Sequence, residues 1–168
     1  MILLFITDES FAIGYQGDLV YHISQDQKRF KEITTGNIVV MGRKTLESLP
    51  GGRPLKNRDN VVLTRQNLPP QPGLHVVHDK AALLQTLHAL NPDGQKKVFH
   101  IGGGHAVEAL WDLVDAADIT MIHKRFDQAD TWIPNLQADP EWTLVQESAP
   151  ESDGAVTYTY QQYRRNRA

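Results

Sequence analysis

Short apolar runs alternate with helical patterns over the first two thirds of the chain, and this alternation constrains the fold more than any other feature. Buried strands are indicated by five runs rich in Val, Ile, Leu and Phe: 2–7, 37–42, 60–65, 74–77 and 97–101. Helical patterns between and after them lie at about 24–35, 44–49, 79–91 and 105–114. Strand–helix alternation implies right-handed crossovers and therefore a mainly parallel sheet with helices on both faces.

The last third of the chain has a different pattern. Three strand-like segments follow one another at 118–126, 142–148 and 155–163, and an Asp153-Gly154 turn lies between the last two. A short connection makes these last two strands antiparallel. We therefore expect one α/β domain over residues 1–168, with a central, mostly parallel eight-stranded sheet and an antiparallel C-terminal edge strand. The final strand alternates apolar and polar residues, which predicts that one of its faces is exposed.

The composition argues against several classes of function. The chain has no cysteine, so disulfides, thiolate metal sites and thiol catalysis are excluded. Its seven histidines form no HExxH motif and no tight cluster with acids. His75 and His78 could be ligands, but isolated histidines in and beside short strands are usually structural or exposed, so we expect no metal. A net charge of −3, with mixed signs, gives no support for a nucleic-acid surface. The apolar N-terminal run is too short for a signal peptide or a membrane span, so we expect a cytoplasmic protein with no membrane partner.

A carboxylate lies on the apolar stripe of the first predicted helix. The stripe contains Ile23, Phe30 and Ile33, and Asp26 falls between them on the same face. An acid in the first turn of a helix is ordinary, because the helix dipole favours a negative charge there. A buried acid beside a pocket is costly unless it has a partner, and such a residue would serve chemistry. The residues alone leave both interpretations of Asp26 open.

Cations follow two of the predicted strands. Gly42 ends one strand, and Arg43 and Lys44 open a short helix directly after it. Thr64 and Arg65 leave the end of another strand. Ligands of open α/β sheets bind at the carboxyl edge, where these side chains would converge if the two strands are parallel neighbours. Cations beside free helix N–H groups favour an anion such as a phosphate, whereas unrelated solvated charges are the alternative.

Two further segments suit anionic groups. Gly102, Gly103 and Gly104 lie between a strand and a helix, where glycine lets the backbone approach a phosphate closely. A tight turn that packs the helix on the sheet explains the same glycines. Arg53 and Arg58 lie in a polar loop, and a rigid arginine fork suits a carboxylate.

Taken together, these motifs resemble dihydrofolate reductase. VVMGRKTLESL, GRPLKNRDNVVLT and VFHIGGG occur in that family's order, after the helix of Asp26 and Phe30 and before the strand of Thr120. The matches span essentially the whole chain. The resemblance implies NADPH-dependent reduction of 7,8-dihydrofolate to 5,6,7,8-tetrahydrofolate, with hydride transfer to C6 and protonation at N5. Such an enzyme supplies one-carbon metabolism and is an antifolate target.

The resemblance also implies roles for the substrate site. Asp26 would bind the 2-amino group and N3 of the pterin and promote protonation of N5, Thr120 would orient Asp26, and Tyr21 is a third catalytic candidate. Arg58 would bind the α-carboxylate of the folate glutamate. The complete set of implied substrate-binding residues is Phe5, Ile6, Asp26, Phe30, Leu49, Arg58, Ile101 and Thr120.

The resemblance implies NADPH as the cofactor. Thr45 and the three glycines would cradle its pyrophosphate, with a cis peptide expected between Gly102 and Gly103. Arg43, Lys44 and Arg65 would bind the 2′-phosphate, and residues 9–22 would form a mobile lid. We expect a monomer. The implied cofactor-binding residues are Ile13, Gly14, Leu19, Gly42, Arg43, Lys44, Thr45, Leu63, Thr64, Arg65, Gly102, Gly103 and Gly104.

The chain departs from the family pattern in three places, and two alternatives stay open. Leu19-Val20-Tyr21 replaces the usual Leu-Pro-Trp, the loop TDESFAIG is one residue shorter, and FDQAD is one residue longer. The NADPH-dependent reductase of riboflavin synthesis shares the fold, but it would need a site for a ribosyl phosphate instead of Asp26, Phe30 and Arg58. A catalytically silent homologue would bind NADPH without turnover.

Overall fold

The computed structural model describes residues 1–167. Within these residues the helices are α1 (Ser24–Thr34), α2 (Arg43–Ser48), α3 (Lys80–Leu90) and α4 (Gly104–Ala109), with single 3-10 turns at Pro50–Gly52 and Trp111–Leu113. The strands are β1 (Ile2–Thr7), β2 (Ala12–Tyr15), β3 (Asp18–Leu19), β4 (Ile38–Gly42), β5 (Asp59–Leu63), β6 (Leu74–Val77), β7 (Val98–His100), β8 (Ala116–Ile122), β9 (Thr131–Trp132), β10 (Trp142–Glu147), β11 (Glu151–Ser152) and β12 (Thr157–Arg165). All eight predicted strands are present, whereas the short strands β2, β3, β9 and β11 were not predicted.

The chain forms two compact units. The terminal unit consists of residues 1–29 and the chain from Trp111 onward, and the middle unit consists of Phe30–Leu110. Four of the eight predicted strands lie in each unit. The predicted fold class, a mixed α/β protein with mostly parallel strands and an antiparallel C-terminal edge, is confirmed. That residues 1–168 form a single domain stays a prediction.

The terminal unit combines parallel and antiparallel pairing. Its strands lie in the order β10-β12-β8-β1. β1 and β8 are parallel, whereas β12 is antiparallel to both β8 and β10. The outermost strand of this edge is therefore β10, and β12, the last strand, lies between β10 and β8.

The two faces of β12 differ from the sequence expectation. Thr159 and Gln161 are 3% exposed, although the alternating pattern predicts that they face solvent. The Thr159 hydroxyl and the Gln161 amide both donate to Glu147 Oε2, at 2.8 and 2.7 Å. The prediction of an exposed face is therefore wrong for Thr159 and Gln161, whose polar groups are satisfied by Glu147 of neighbouring β10. Thr157 on the same face is exposed, as predicted.

The middle of the predicted lid forms two strands of a second, smaller sheet with the strand order β3-β2-β9. Gln16 and Gly17 connect β2 to β3 and have positive φ angles of 49° and 80°. Two such residues form the type I′ turn, whose twist matches that of a two-residue hairpin. The dipeptide Gln-Gly was the available signal for this hairpin. Movement of residues 9–22 stays a prediction.

A buried carboxylate anchors the start of this segment. Asp8 is fully buried, and its Oδ1 accepts hydrogen bonds from the backbone N–H groups of Ser10 and Ala12, at 2.9 and 3.0 Å. Its Oδ2 accepts from the N–H of Phe126 at 2.8 Å. Because several donors satisfy the carboxylate, Asp8 fixes the conformation of the chain on both sides of the small sheet.

The middle unit is a parallel sheet in the order β7-β4-β5-β6. Val40 lies opposite His100 on β7, and Gly42 lies opposite Leu63 on β5. The carboxyl ends of these three strands therefore meet at one edge of the sheet. Among residues 1–167, no helix has the length and apolar character needed to cross a membrane, and no three histidine or acidic side chains are grouped as a metal site.

Candidate active site

Asp26 lies in the first turn of α1, and its side chain is half-buried. The Thr120 hydroxyl on β8 donates a hydrogen bond to Asp26 Oδ1. Burial raises the pKa of the Asp26 carboxyl above its usual range; the Thr120 hydrogen bond and the Arg29 guanidinium oppose this rise, and the Asp118 carboxylate adds to it. An acid placed only to match the helix dipole would be solvated, so this environment favours the chemical interpretation of Asp26.

The surroundings of Asp26 include charged residues that the sequence reasoning missed. Arg29 Nη2 donates to both oxygens of Asp118, at 3.0 and 2.8 Å, across 89 residues of sequence. The Arg29 guanidinium carbon lies 4.2 Å from the centre of the Tyr160 ring. The available signal was spacing, since Arg29 falls one turn after Asp26 and Asp118 lies two residues before Thr120 on a strand.

Tyr21 and Ile6 lie in an apolar cluster of the terminal unit. The Tyr21 ring stacks on Phe126 with 5.7 Å between ring centres, and its hydroxyl donates to Asp153 Oδ2 at 2.9 Å. The polar tip of Tyr21 is thus directed to the Asp153-Gly154 turn. Phe5 is half-buried on β1. The buried members of the cluster are Ile6, Ile23, Ile122, Val156 and Tyr158.

Three cofactor candidates lie on the β2–β3 hairpin of the terminal unit. Ile13 is buried, and Gly14 lies opposite Leu19. A side chain at Gly14 would bring its Cβ within 3.1 Å of the Asp18 carbonyl oxygen, so only glycine fits without a shift of the hairpin. Leu19 is 41% exposed, which leaves its apolar side chain available to a ligand.

The middle unit links two substrate candidates, Arg58 and Phe30, through the hydroxyl of Thr34. Arg58 donates from Nε to the Lys56 carbonyl at 2.8 Å and from Nη1 to the Thr34 hydroxyl at 3.1 Å. That hydroxyl in turn donates to the Phe30 carbonyl at 2.8 Å, one helical turn earlier. Arg58 is therefore fixed against the end of α1, and burial lowers the pKa of its guanidinium. Leu49 is half-buried directly after α2.

The starts of α2 and α4 form a glycine-lined cradle. The Gly42 N–H donates to the Gly102 carbonyl at 2.8 Å, and the peptide bond between Gly102 and Gly103 is cis, as expected. A Cβ at Gly42 would lie 3.4 Å from the Ala106 methyl, and one at Gly103 would lie 3.6 Å from Thr45 Oγ1. Within the described chain, no side chain caps either helix, so first-turn N–H groups are available to an anion.

The three predicted phosphate-binding cations are not equivalent. Arg43 Nη1 donates to Glu47 Oε1 at 2.6 Å within α2, which holds the guanidinium along its own helix. Lys44 and Arg65 are exposed, and they follow the paired ends of β4 and β5. The structure thus places Lys44 and Arg65 at the same edge of the sheet, as predicted. The Arg43 guanidinium is instead hydrogen-bonded to Glu47.

The remaining cofactor candidates lie along the same edge. Leu63 and Thr64 are half-buried where β5 ends, and Gly104 is the first residue of α4. The Thr64 carbonyl lies 2.7 Å from His78 Nδ1. Ile101, a substrate candidate, donates its N–H to the carbonyl of Val40 at 2.9 Å.

His100 supports the cradle and was missed from the sequence, where the histidines were considered only as metal ligands. It is fully buried, and its Nδ1 lies 3.2 Å from the Gly102 N–H, which donates to it. Burial lowers the pKa of His100 to about 4. The imidazole is therefore neutral at physiological pH and acts as a hydrogen-bond acceptor beneath the glycines.

This burial predicts a loss of stability in acid. The folded pKa of about 4 lies below the ordinary value near 6.5, so the unfolded chain binds the proton first as the pH falls. Stability from the neutral imidazole is present above about pH 6.5 and is lost towards pH 4, by up to about 3 kcal/mol. Urea unfolding at each pH should show a smaller loss of stability in His100→Asn than in wild type, because the amide oxygen of Asn can still accept from Gly102 but does not titrate. The same slope in both proteins would contradict the assignment, and the exposed His88→Asn is the control.

Comparison with known proteins identifies the family. A family model described as dihydrofolate reductase matches residues 1–167. Dihydrofolate reductase of Bacillus subtilis (strain 168) is 33% identical over 158 residues, covering 94% of this chain and 89% of that protein. The enzyme of Staphylococcus aureus (strain Mu50 / ATCC 700699) is 36% identical over 132 residues, covering 79% and 76%. The structure of dihydrofolate reductase from Enterococcus faecalis, complexed with NADP(H) and RAB-propyl, has a TM-score of 0.80 and 32% identity and covers 99% of this chain and 96% of that one. The chain therefore belongs to the dihydrofolate reductase family.

Proposed function

We propose that this chain catalyses the NADPH-dependent reduction of 7,8-dihydrofolate to 5,6,7,8-tetrahydrofolate and so supplies one-carbon metabolism. Family membership over residues 1–167 supports the activity, and the relative complexed with NADP(H) supports the cofactor. One observation at the site carries the proposal. Asp26 is a half-buried carboxyl with a raised pKa, and the buried Thr120 fixes it in place.

The residues of the middle unit fit the phosphates of NADPH. A Cβ at Gly42 or Gly103 would fill space beside Ala106 or Thr45 at ordinary contact distance, so the glycines leave that space to a ligand. The two helix starts have no side-chain cap in the described chain. Thr45 and these backbone groups would hold the pyrophosphate. Lys44 and Arg65 would hold the 2′-phosphate. When bound, NADPH supplies the hydride that reduces C6 of the substrate.

Asp26 performs the proton chemistry in this proposal. Its carboxyl binds the 2-amino group and N3 of the pterin, which stabilises the positive charge that forms when N5 is protonated. The proton reaches N5 through water. Thr120 holds the carboxyl in one orientation, because its hydroxyl donates to Oδ1. The Tyr21 hydroxyl already donates to Asp153, so Tyr21 contributes only its ring, which stacks on Phe126.

The remaining substrate residues divide by chemistry. Phe30 and Leu49 supply half-buried apolar surface, and Phe5 and Ile101 supply backbone carbonyls. Arg58 is held by two hydrogen bonds, so its remaining N–H donors are presented in a fixed orientation, which suits the α-carboxylate of the glutamate tail. The monomeric state and the cytoplasmic location stay predictions, and light scattering of the purified protein tests the first.

The test is a spectrophotometric assay of the purified protein with NADPH and dihydrofolate. We expect loss of the nicotinamide absorbance only when both are present. Bound NADPH without oxidation would indicate the silent homologue. Oxidation that requires a ribosylated aminopyrimidine instead of the folate would indicate the reductase of riboflavin synthesis.

A further inference from the structure

We propose that the Arg29–Asp118 ion pair sets the acidity of Asp26, with Arg29 favouring the ionised carboxylate and Asp118 limiting that effect. Both would be positioning residues that act through Asp26. The inference rests on the proposed function, in which Asp26 is the catalytic carboxyl.

The pair is built beside Asp26 as a second link between the same two elements. Asp26 and Arg29 are three residues apart on α1, so they share a face and are separated by about 4.5 Å along the helix axis. Their partners Thr120 and Asp118 are two residues apart on β8, so these also share a face, about 6.6 Å apart along the strand. Thr120 donates to Asp26, and Arg29 donates to Asp118. The two links are therefore neighbours.

A third element closes the arrangement. Tyr160 of β12 lies opposite Thr120 in the antiparallel register, so its ring is on the same face of the sheet. The Arg29 guanidinium lies 4.2 Å from the centre of that ring. The charged and titratable groups that face Asp26 are thus Arg29 on α1, Asp118 on β8 and Tyr160 on β12.

Limited solvent access lets these charges act on Asp26. The side chain of Arg29 is 23% exposed and that of Asp118 is 17% exposed. Water screens charges poorly in such a location, and an opposite charge within a few ångströms favours the ionised form of a carboxyl. The electrostatic contributions to the pKa of Asp26 have the signs expected from these charges: Arg29 lowers the pKa and Asp118 raises it.

The balance of the pair predicts opposite effects for its two members. Asp118→Asn leaves the guanidinium without its counter-charge, so the pKa of Asp26 should fall by about 0.5–1 unit. Arg29→Met removes the positive charge, keeps an unbranched apolar side chain, and leaves a second carboxylate near Asp26, so the pKa should rise by a similar amount. The double variant removes both charges and should return the pKa close to that of wild type. A purely structural role of the pair would not give shifts of opposite sign.

The experiment is a pH titration of these three variants and of wild type. The pKa of Asp26 is read from its side-chain carboxyl ¹³C resonance in the NADPH-free protein, assigned by its loss in Asp26→Asn. In parallel, the pH profile of kcat/KM with NADPH and dihydrofolate should shift in the same direction as the resonance. Arg29→Lys, which keeps the positive charge, should remain nearer to wild type than Arg29→Met.

Matched controls separate local from general charge effects. Lys28→Met changes the net charge as Arg29→Met does, at an exposed position beside it, and Asp115→Asn does the same for Asp118→Asn just before β8. Shifts of the same sign in both single variants, or shifts no larger than those of the controls, would overturn the proposal. The resonance titrates whether or not the protein turns over dihydrofolate, so failure of the proposed function is distinguishable from failure of this inference.

Discussion

Replacing Asp26 by Asn is expected to lower kcat at neutral pH by at least about a hundredfold, which is the scale of a general acid–base contribution. The variant keeps an amide oxygen that can accept from Thr120, so the local geometry is preserved while the titratable group is lost. Steady-state turnover with saturating NADPH and dihydrofolate measures the effect. Turnover within a few-fold of wild type would refute the catalytic role of Asp26.

Stability provides the control for this variant. A raised pKa in the folded state means that the protonated carboxyl is favoured there, so its stabilising effect is complete below the unfolded pKa and is lost as the pH rises through the folded one. At neutral pH, Asp26→Asn should therefore be at least as stable as wild type in urea unfolding. Its NADPH affinity should be unchanged in a fluorescence titration, because the predicted phosphate contacts lie on other residues. A folded, NADPH-binding and slow enzyme is the expected combination.

Replacing Arg65 by Ala is expected to raise the Kd for NADPH about 10- to 100-fold and to change the Kd for NADH by about twofold or less. A charge-assisted hydrogen bond to a phosphate contributes about 1.5–3 kcal/mol to binding. NADH has no 2′-phosphate and so cannot make this hydrogen bond in either protein. Arg65 is exposed where β5 ends, beside the start of α2, so little of the effect should come from unfolding. Calorimetric titration with both cofactors measures the difference.

Neighbouring cations make the experiment more specific. Arg43→Ala should cost less NADPH affinity than Arg65→Ala, because Glu47 already engages the Arg43 guanidinium at 2.6 Å. Arg53→Ala, at an exposed loop position, should leave both affinities unchanged. Equal losses for NADPH and NADH in Arg65→Ala would place the 2′-phosphate elsewhere.

Within the candidate site, the sequence located the residues that follow strands. Apolar runs mark buried strands, and parallel neighbours bring their carboxyl ends to one edge, so Gly42 and Leu63 are paired as the pattern predicts. The contact of Thr120 with Asp26 also agrees with the resemblance. The hydroxyl of Tyr21 illustrates the opposite case, since its partner Asp153 lies 132 residues away and no local pattern indicates it.

The sequence by itself determined the eight longer strands, the order of the motifs and the family, because apolar periodicity and turn chemistry act within a few residues. That Asp26 is the catalytic acid stays a prediction. Only the tertiary structure decided which polar groups are buried and paired. Thr159 and Gln161 of β12 donate to Glu147, His100 is neutral next to the glycines, and Arg29 donates to Asp118. These outcomes depend on neighbours supplied by distant parts of the chain. A polar side chain can be buried only where such a neighbour satisfies it, and that pairing is not encoded in local spacing.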